Sequence, residues 1–258
     1  MILEAIDLSI IAPAFLAGAL VLATHIPLGG QVLQRGIVFI DLAIAQIAAL
    51  GVITASLLDI EPNGWQVQVA AGLAAMLGAL LLTWTEKRWP DVQEAQIGVI
   101  FVLAASGGLL LLANNPHGGE HLRDLLAGQI LWVSYAQLIV PAIGTALILT
   151  LLRHFNSRLS RLGFYMIFAL AVTASVQLVG VYLVFASLIV PSLGARNYGK
   201  SLRLPLAFLI GFAGYAVGLV SSMFFDLPSG ALIVWSLCPL AMLVYAFGPA
   251  PTAHHSNA

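Results

Sequence analysis

Long apolar segments separated by short polar gaps constrain this chain more than any other feature. They cover about residues 11–33, 38–58, 65–84, 97–113, 131–152, 162–191, 204–224 and 229–247. A helix needs roughly 20 apolar residues to cross a hydrocarbon core of about 30 Å, and most of these segments reach that length. Because 60% of the residues are hydrophobic and 8% are charged, too little polar surface remains for a water-soluble domain. The sequence predicts an all-α, polytopic transmembrane helical bundle forming a single domain, residues 1–258.

Segment 162–191 leaves the number of membrane spans open. It has about 30 residues, which is long for one untilted helix, and Gln177 and Gly180 in its middle are candidates for a break. One tilted helix would give eight spans. Two shorter helices would give nine.

The basic residues fall in alternate gaps between the apolar segments. With nine spans, nine of the ten Lys and Arg residues face one compartment, and Arg123 faces the other. The nine are Arg35, Lys87, Arg88, Arg153, Arg158, Arg161, Arg196, Lys200 and Arg203. The positive-inside rule makes their compartment the cytoplasm, with the N-terminus outside. The C-terminal tail, residues 248–258, is then cytoplasmic and is expected to be flexible.

Several classes of function are disfavoured by what the sequence lacks. The single cysteine, Cys238, provides neither a disulfide framework nor a cysteine metal cluster, and we expect it to be a small buried side chain. A net charge of -1, with the bases spread over short gaps, offers no continuous basic stripe for nucleic acid. The pattern G-x-x-x-x-G-K-[ST] does not occur, so ATP hydrolysis by a P-loop would need another subunit.

Placing a polar side chain in hydrocarbon has a high free-energy cost, so polar residues within the apolar segments are candidates for a functional site. Asp41, near the start of the second segment, is a hard oxygen ligand for a divalent cation or a proton carrier, and Gln46 loosely shares its helix face. Alternatively, Asp41 caps the helix N-terminus. His25 is either a ligand near a bend at Pro27 or a hydrogen-bonded packing residue.

A polar stretch between the fourth and fifth apolar segments is the densest cluster of potential ligands. His117, Glu120 and His121 have the spacing i, i+3 and i+4, which would place them on one face of a helix. Two glycines between them, Gly118 and Gly119, weaken the helical premise. The stretch is either a site of metal capture or an ordinary polar loop.

Four stretches match known motifs in the same order. Residues 179–196 read V-G-V-Y-L-V-F-A-S-L-I-V-P-S-L-G-A-R; P-L-G at 27–29 is followed by Arg35 and F-I-D at 39–41; I-G-V-I-F occupies 97–101; D-L-P-S-G occupies 226–230. Together they resemble the signatures of the metal-ion permeases of ABC importers, the zinc, manganese and iron type. The resemblance extends over nearly the whole chain.

The resemblance implies a type II-like importer permease in a bacterial cytoplasmic membrane, paired with a second copy around a central path. A separate ATPase subunit would carry the ATP, and an extracytoplasmic metal-binding protein would deliver the ion. The family's short helix that presses on the ATPase maps to about residues 192–203. The residues implied in coupling are Pro191, Ser192, Arg196, Lys200 and Arg203. Membrane lipid headgroups would suit the same basic residues.

One departure from the family pattern concerns the ion ligands. The family follows its Asp with a His four residues later, whereas this chain has Ala45 at that position and Gln46 one residue further on. Imidazole suits transition metals far better than an amide does, so the ion's identity stays open. His25 is a candidate replacement.

We expect a permease subunit, without enzymatic activity or a bound cofactor of its own, that imports zinc or manganese by alternating access near Asp41. Three alternatives stay open. They are the same machine carrying a metal chelate or another small solute, an ion-coupled secondary carrier with Asp41 as its proton site, and a non-transporting membrane scaffold.

Overall fold

A computed structural model describes residues 8–58, 65–112, 126, 128, 130–155 and 160–249. Within these residues the chain forms nine α-helices and no strand. They are α1 (Leu8–Arg35), α2 (Ile40–Leu57), α3 (Trp65–Arg88), α4 (Gln93–Leu112), α5 (Tyr135–Phe155), α6 (Arg161–Val179), α7 (Val181–Gly194), α8 (Lys200–Phe225) and α9 (Ser229–Ala246). Two short 3₁₀ helices, Pro90–Val92 and Ile130–Trp132, precede α4 and α5.

Eight of the described helices are long and apolar enough to cross a membrane. The exception is α7, whose 14 residues extend about 21 Å at 1.5 Å per residue. That is shorter than a hydrocarbon core of about 30 Å. The predicted all-α transmembrane bundle is therefore confirmed, and the short ninth helix explains why the number of spans was ambiguous in the sequence.

The break between α6 and α7 occurs at Gly180. This residue has φ of 79° and ψ of 162°, a conformation that is essentially restricted to glycine. Its N–H donates to the carbonyl of Val176 at 2.8 Å, and its carbonyl accepts from the N–H of Val184 at 3.1 Å. The chain therefore changes direction here while its backbone groups stay paired, as membrane burial requires. Gln177, the other candidate for the break, lies within α6.

The helices pack as two groups with α6 in contact with both. In one group α2 packs against α3 and α4, and in the other α1, α7, α8 and α9 pack against one another. Close approach of α8 and α9 depends on small residues, because a Cβ at Gly218 would lie 2.4 Å from the Cα of Ile233. This packing holds α9 in place beside α7.

Contacts at one end of the bundle support the predicted sidedness. The Arg161 guanidinium lies 3.3 Å from a Glu86 carboxylate oxygen, which joins the start of α6 to the end of α3. The Arg35 guanidinium carbon lies 4.1 Å from the centroid of the Phe164 ring, which joins the end of α1 to the same place. Three basic clusters that the charge pattern assigns to the cytoplasm are thus at one end of the bundle.

Replacing Gly180 with Ala should destabilise the protein, because a side chain in this backbone conformation costs on the order of 1–3 kcal/mol. The measurement is thermal unfolding of the purified protein in detergent. Gly144→Ala is the matched control, since no atom lies within 4 Å of the position that its Cβ would occupy in α5. Equal unfolding temperatures for the two variants would show that the break does not need glycine.

Candidate functional site

A groove opens between the two helix groups. Its volume is about 580 Å³, and α2, α4, α7 and α9 form its walls. The exposed fractions of Leu109 and Tyr182, 54% and 57%, show that it is open on one side. We call it the central groove; its lining includes Leu42, Gln46, Phe101, Ala105, Leu109, Tyr182, Phe185, Val190, Val234 and Cys238.

Gln46 places an amide in this apolar lining. Its side chain is 7% exposed, and it makes no hydrogen bond with the residues that the structure describes. An amide removed from water without a hydrogen-bond partner is costly, and the cost is higher at membrane depth. Gln46 is therefore available to a ligand, to water or to another chain. Its place on the translocation path stays a prediction.

Asp41 lies behind the groove wall, next to Leu42. It is the second residue of α2 and is 1% exposed. Its Oδ1 accepts a hydrogen bond from the N–H of Leu42 at 2.9 Å, whereas its buried Oδ2 has no hydrogen-bond partner. One oxygen therefore stabilises the helix N-terminus, and the other remains free for a cation or a proton. Asp41 therefore lies in the first turn of α2 without being its cap, because the N-cap is Phe39 and no side chain caps this end of the helix. Its role as a ligand or proton carrier stays a prediction.

His25 is fully buried in α1. Its Nδ1 lies 3.0 Å from the carbonyl of Val21 and 3.0 Å from the hydroxyl of Thr24, and its Nε2 has no partner. A proton on Nδ1 satisfies the carbonyl and leaves the Nε2 lone pair free. In the described bundle, however, α1 packs against α5, α6, α7 and α8 and not along α2. Helix packing therefore does not bring His25 to Asp41, and its role as a replacement ligand stays a prediction.

No cluster of three His, Cys, Asp or Glu side chains forms a preformed metal site within the described ranges. His117, Glu120 and His121 lie outside those ranges. The described polar groups are instead separate: Gln46 in the groove, Asp41 behind it and His25 in α1. Such an arrangement suits a path with weak contacts better than a closed site with four ligands.

Three residues were not assigned to a site from the sequence. Cys238 was expected to be a small buried side chain, but it is a partly exposed free thiol that lines the central groove. Val234, one helical turn earlier in α9, also lines the groove, but both residues stand in an apolar run that carries no signal for this face. Glu94, in the first turn of α4, has two buried carboxylate oxygens without hydrogen-bond partners.

The resemblance implied a separate short helix at about residues 192–203. The structure has no such helix there. Residues up to Gly194 complete the last turn of α7, a turn follows, and α8 begins at Lys200. Gly194 ends α7 against Ala241 of α9, where a Cβ would lie 2.9 Å from the Ala241 Cα.

The five coupling candidates have different environments. Pro191 and Ser192 are buried, and the Ser192 hydroxyl donates to the carbonyl of Ile26 at 3.3 Å. The Arg203 guanidinium donates to the carbonyl of Arg196 at 2.7 Å and so closes the turn. Of the five, Arg196 and Lys200 are exposed and can reach a partner.

Hydrogen bonds also join this turn to the end of α9. The Tyr198 hydroxyl donates to the carbonyl of Val244 at 2.9 Å. The Arg196 guanidinium donates to the Tyr245 hydroxyl at 3.2 Å and lies 5.2 Å from the centroid of the same ring. A force on this turn would therefore reach α7 and α9, which form one wall of the groove.

Comparison with known proteins gives consistent matches over nearly the whole chain. The profile of the ABC 3 transport family matches residues 7–162 and 153–248. The high-affinity zinc uptake system membrane protein ZnuB of Haemophilus influenzae is 23% identical over 246 residues, covering 87% of this chain and 92% of the relative. The manganese transport system membrane protein MntC of Halalkalibacterium halodurans is 25% identical over 245 residues, covering 86% and 82%.

A solved structure has the same fold. It is PsaBC from Streptococcus pneumoniae in complex with Fab, which matches with a TM-score of 0.76 and 20% identity. The match covers 96% of this chain and 97% of that chain. At this level of identity the likeness concerns the arrangement of the helices.

The unpaired amide gives a stability prediction. Gln46→Leu should leave the free energy of unfolding unchanged or raise it, because it replaces an amide that has no hydrogen bond to the described residues with an apolar side chain. Ser187→Ala, the comparison variant, should lower it by about 1–3 kcal/mol, since the Ser187 hydroxyl bonds the Tyr215 hydroxyl at 2.8 Å. Unfolding in detergent measures both. A loss of stability in Gln46→Leu would mean that the amide has a structural role.

Proposed function

The chain belongs to the ABC 3 transport family, and from this premise we propose that it is the permease subunit of an ATP-binding cassette importer. Its cargo is a divalent transition metal ion, zinc or manganese, the ions named for two of its relatives. It is a multi-pass protein of the bacterial cytoplasmic membrane. The observation that most supports transport is the Gln46 amide, which lines an apolar groove without a hydrogen bond to the described residues, on the same helix as Asp41.

Ion movement through this groove would use weak and successive contacts. The Gln46 amide oxygen and the free Asp41 oxygen are hard ligands that replace part of the hydration shell of a cation. Conduction requires binding that is favourable enough for the ion to leave water and weak enough for it to leave the protein. Two separated oxygen donors satisfy this requirement better than a closed cage does.

Alternating access follows from the two helix groups. The groove has α2 and α4 on one wall and α7 and α9 on the other, so relative rocking of the groups opens or closes it. Because the turn before α8 is hydrogen-bonded to the end of α9 at Val244 and Tyr245, a partner that moves this turn also moves the second wall.

A second copy of the chain is the proposed cover of the open side of the groove. Hydrocarbon there would leave the Gln46 amide without a hydrogen-bond partner, whereas a symmetric partner would enclose it in a protein-lined path. The exposed apolar side chains Leu110, Trp235 and Met242, with exposed fractions of 77%, 77% and 70%, are available to such a partner.

The energy source is a separate ATPase, because this sequence contains no P-loop pattern. Its docking surface includes Arg196 and Lys200, which are the exposed coupling candidates. Pro191 and Ser192 are buried and transmit motion instead of touching the ATPase. On the opposite side of the membrane, an extracytoplasmic metal-binding protein delivers the ion, with His117, Glu120 and His121 as candidate capture ligands.

The test is uptake into proteoliposomes that contain this protein, its ATPase and its binding protein. We expect ATP-dependent accumulation of labelled Zn²⁺ or Mn²⁺. Asp41→Asn keeps the shape of the carboxylate but removes its charge. Mutation of a group that hydrogen-bonds a metal ligand typically lowers metal affinity or activity about 10–100-fold. Because Asp41 is proposed to contact the ion itself, this variant should lower the uptake rate by roughly tenfold or more.

The control for this experiment is Asp91→Asn, which removes an exposed carboxylate from the 3₁₀ helix Pro90–Val92 and should leave uptake unchanged. Accumulation driven by a proton gradient without ATP would support a secondary carrier instead. ATP hydrolysis without accumulation of either ion would indicate another solute. Full uptake by Asp41→Asn would remove Asp41 from the path.

Docking of the ATPase gives a separate prediction. Lys200→Glu should abolish co-purification of the ATPase, because it reverses an exposed charge in the coupling turn. Lys87→Glu is the matched control, since Lys87 is an exposed lysine at the same end of the bundle but outside the turn. Equal loss of the ATPase in both variants would indicate dependence on overall charge and contradict a specific surface.

A further inference from the structure

We propose that Cys238 and Gln46 form a selectivity site in the central groove, at which a thiophilic divalent cation such as Zn²⁺ binds the Cys238 sulfur during passage. This inference rests on the proposed transport function and names the class of ion that the groove favours. Nothing in the sequence pattern assigned either a ligand or a path position to Cys238.

The geometry places the two side chains on different walls of one groove. Cys238 lies on α9 and Gln46 on α2, and both line the same cavity of about 580 Å³. The thiol is free and partly exposed, and the amide is 7% exposed and forms no hydrogen bond with the described part of the chain. Two unpaired polar groups that line one apolar cavity mark a place where a polar guest is stabilised.

The rest of the lining narrows the class of ion. Apart from the hydroxyl of Tyr182, the other described residues of the lining have apolar side chains, and none has a carboxylate. Mn²⁺ and Mg²⁺ prefer carboxylate, carbonyl and water oxygens, whereas a thiolate favours zinc and softer ions. The sulfur therefore supplies the preference for a transition metal that the family's missing histidine would otherwise provide.

The binding step is balanced without an oxidant or a reductant. As the cation binds, the Cys238 thiol releases its proton to water in the groove, and a metal–sulfur bond forms. The Gln46 amide oxygen and retained water molecules complete the coordination. When the ion leaves, the sulfur takes up a proton again. Only two protein ligands hold the ion, so the site is weaker than a structural zinc site with four ligands.

The position of the ligands also explains release. Cys238 lies on α9, whose end is hydrogen-bonded to the coupling turn. Tyr198 bonds the carbonyl of Val244, and Arg196 bonds the hydroxyl of Tyr245. Gln46 belongs to the other helix group. Rocking of the groups changes the distance between the sulfur and the amide, so the movement that opens the groove also breaks the site.

Cadmium binding to the full-length chain in lipid nanodiscs tests this proposal without transport. Cd²⁺ bound to a thiolate has a characteristic ultraviolet charge-transfer band, and Cys238 is the one cysteine of the chain. We expect a saturable band that Cys238→Ser abolishes. Gln46→Leu should keep the band but weaken Cd²⁺ binding by roughly tenfold. This is the lower end of the roughly 10–100-fold loss of metal affinity that follows mutation of groups supporting a metal ligand.

A double variant provides the control for geometry. Ser236→Cys combined with Cys238→Ser keeps one thiol on α9 but moves it to the other side of the helix, where Ser236 bonds the carbonyl of Leu232. It should bind Cd²⁺ far more weakly than the wild type. Equal binding by this variant, or no band in the wild-type protein, would overturn the proposal.

Competition and transport complete the test. Zn²⁺ should displace Cd²⁺ from the wild-type protein at concentrations at which Mn²⁺ does not; equal displacement would contradict a thiolate site. In proteoliposomes, Cys238→Ser should lower the ratio of Zn²⁺ to Mn²⁺ uptake by roughly tenfold, and an unchanged ratio would overturn the selectivity role. An intact cadmium band without any metal uptake would instead contradict the proposed transport function.

Discussion

A polar group inside a membrane must find a partner, and this constraint organises the whole structure. At Gly180 the backbone turns without losing its hydrogen bonds, and the Ser187 and Tyr215 hydroxyls satisfy each other in the core. Against this background the Gln46 amide and one oxygen of Asp41 are among the polar groups that have no hydrogen bond to the described residues. Burial of unpaired polar groups is unfavourable for folding alone. Their position in and beside a groove is what a path for a cation requires.

The central groove contains the proposed contacts for the ion and lies between the two helix groups that are proposed to move. Its two walls belong to different helix groups, and the wall formed by α7 and α9 is bonded to the turn that begins α8. The proposed coupling and cargo contacts therefore lie on one wall, which carries Cys238 in the groove and Tyr245 at its end. Membership of the ABC 3 transport family gives this arrangement its functional meaning.

Much of the fold could be predicted from the sequence, because hydrocarbon thickness fixes helix length and loop charge fixes orientation. The helical bundle follows from these rules, whereas the break at Gly180 was one of the alternatives that the sequence left open. The exposed face of α9 could not be predicted, because an apolar span looks similar whether it faces lipid, protein or a groove. Cys238 was therefore assigned to packing, and the relation of His25 to Asp41 could not be judged before the contacts of α1 were known.

Blocking the groove at its single cysteine tests most directly whether the central groove is the ion path. The measurement is ATP-driven uptake by the reconstituted complex after reaction of Cys238 with a bulky maleimide, with Cys238→Ser as the control for labelling elsewhere. We expect complete labelling to stop uptake by the wild-type protein and to leave uptake by the serine variant unaffected by the reagent. Full uptake after complete labelling of Cys238 would contradict it.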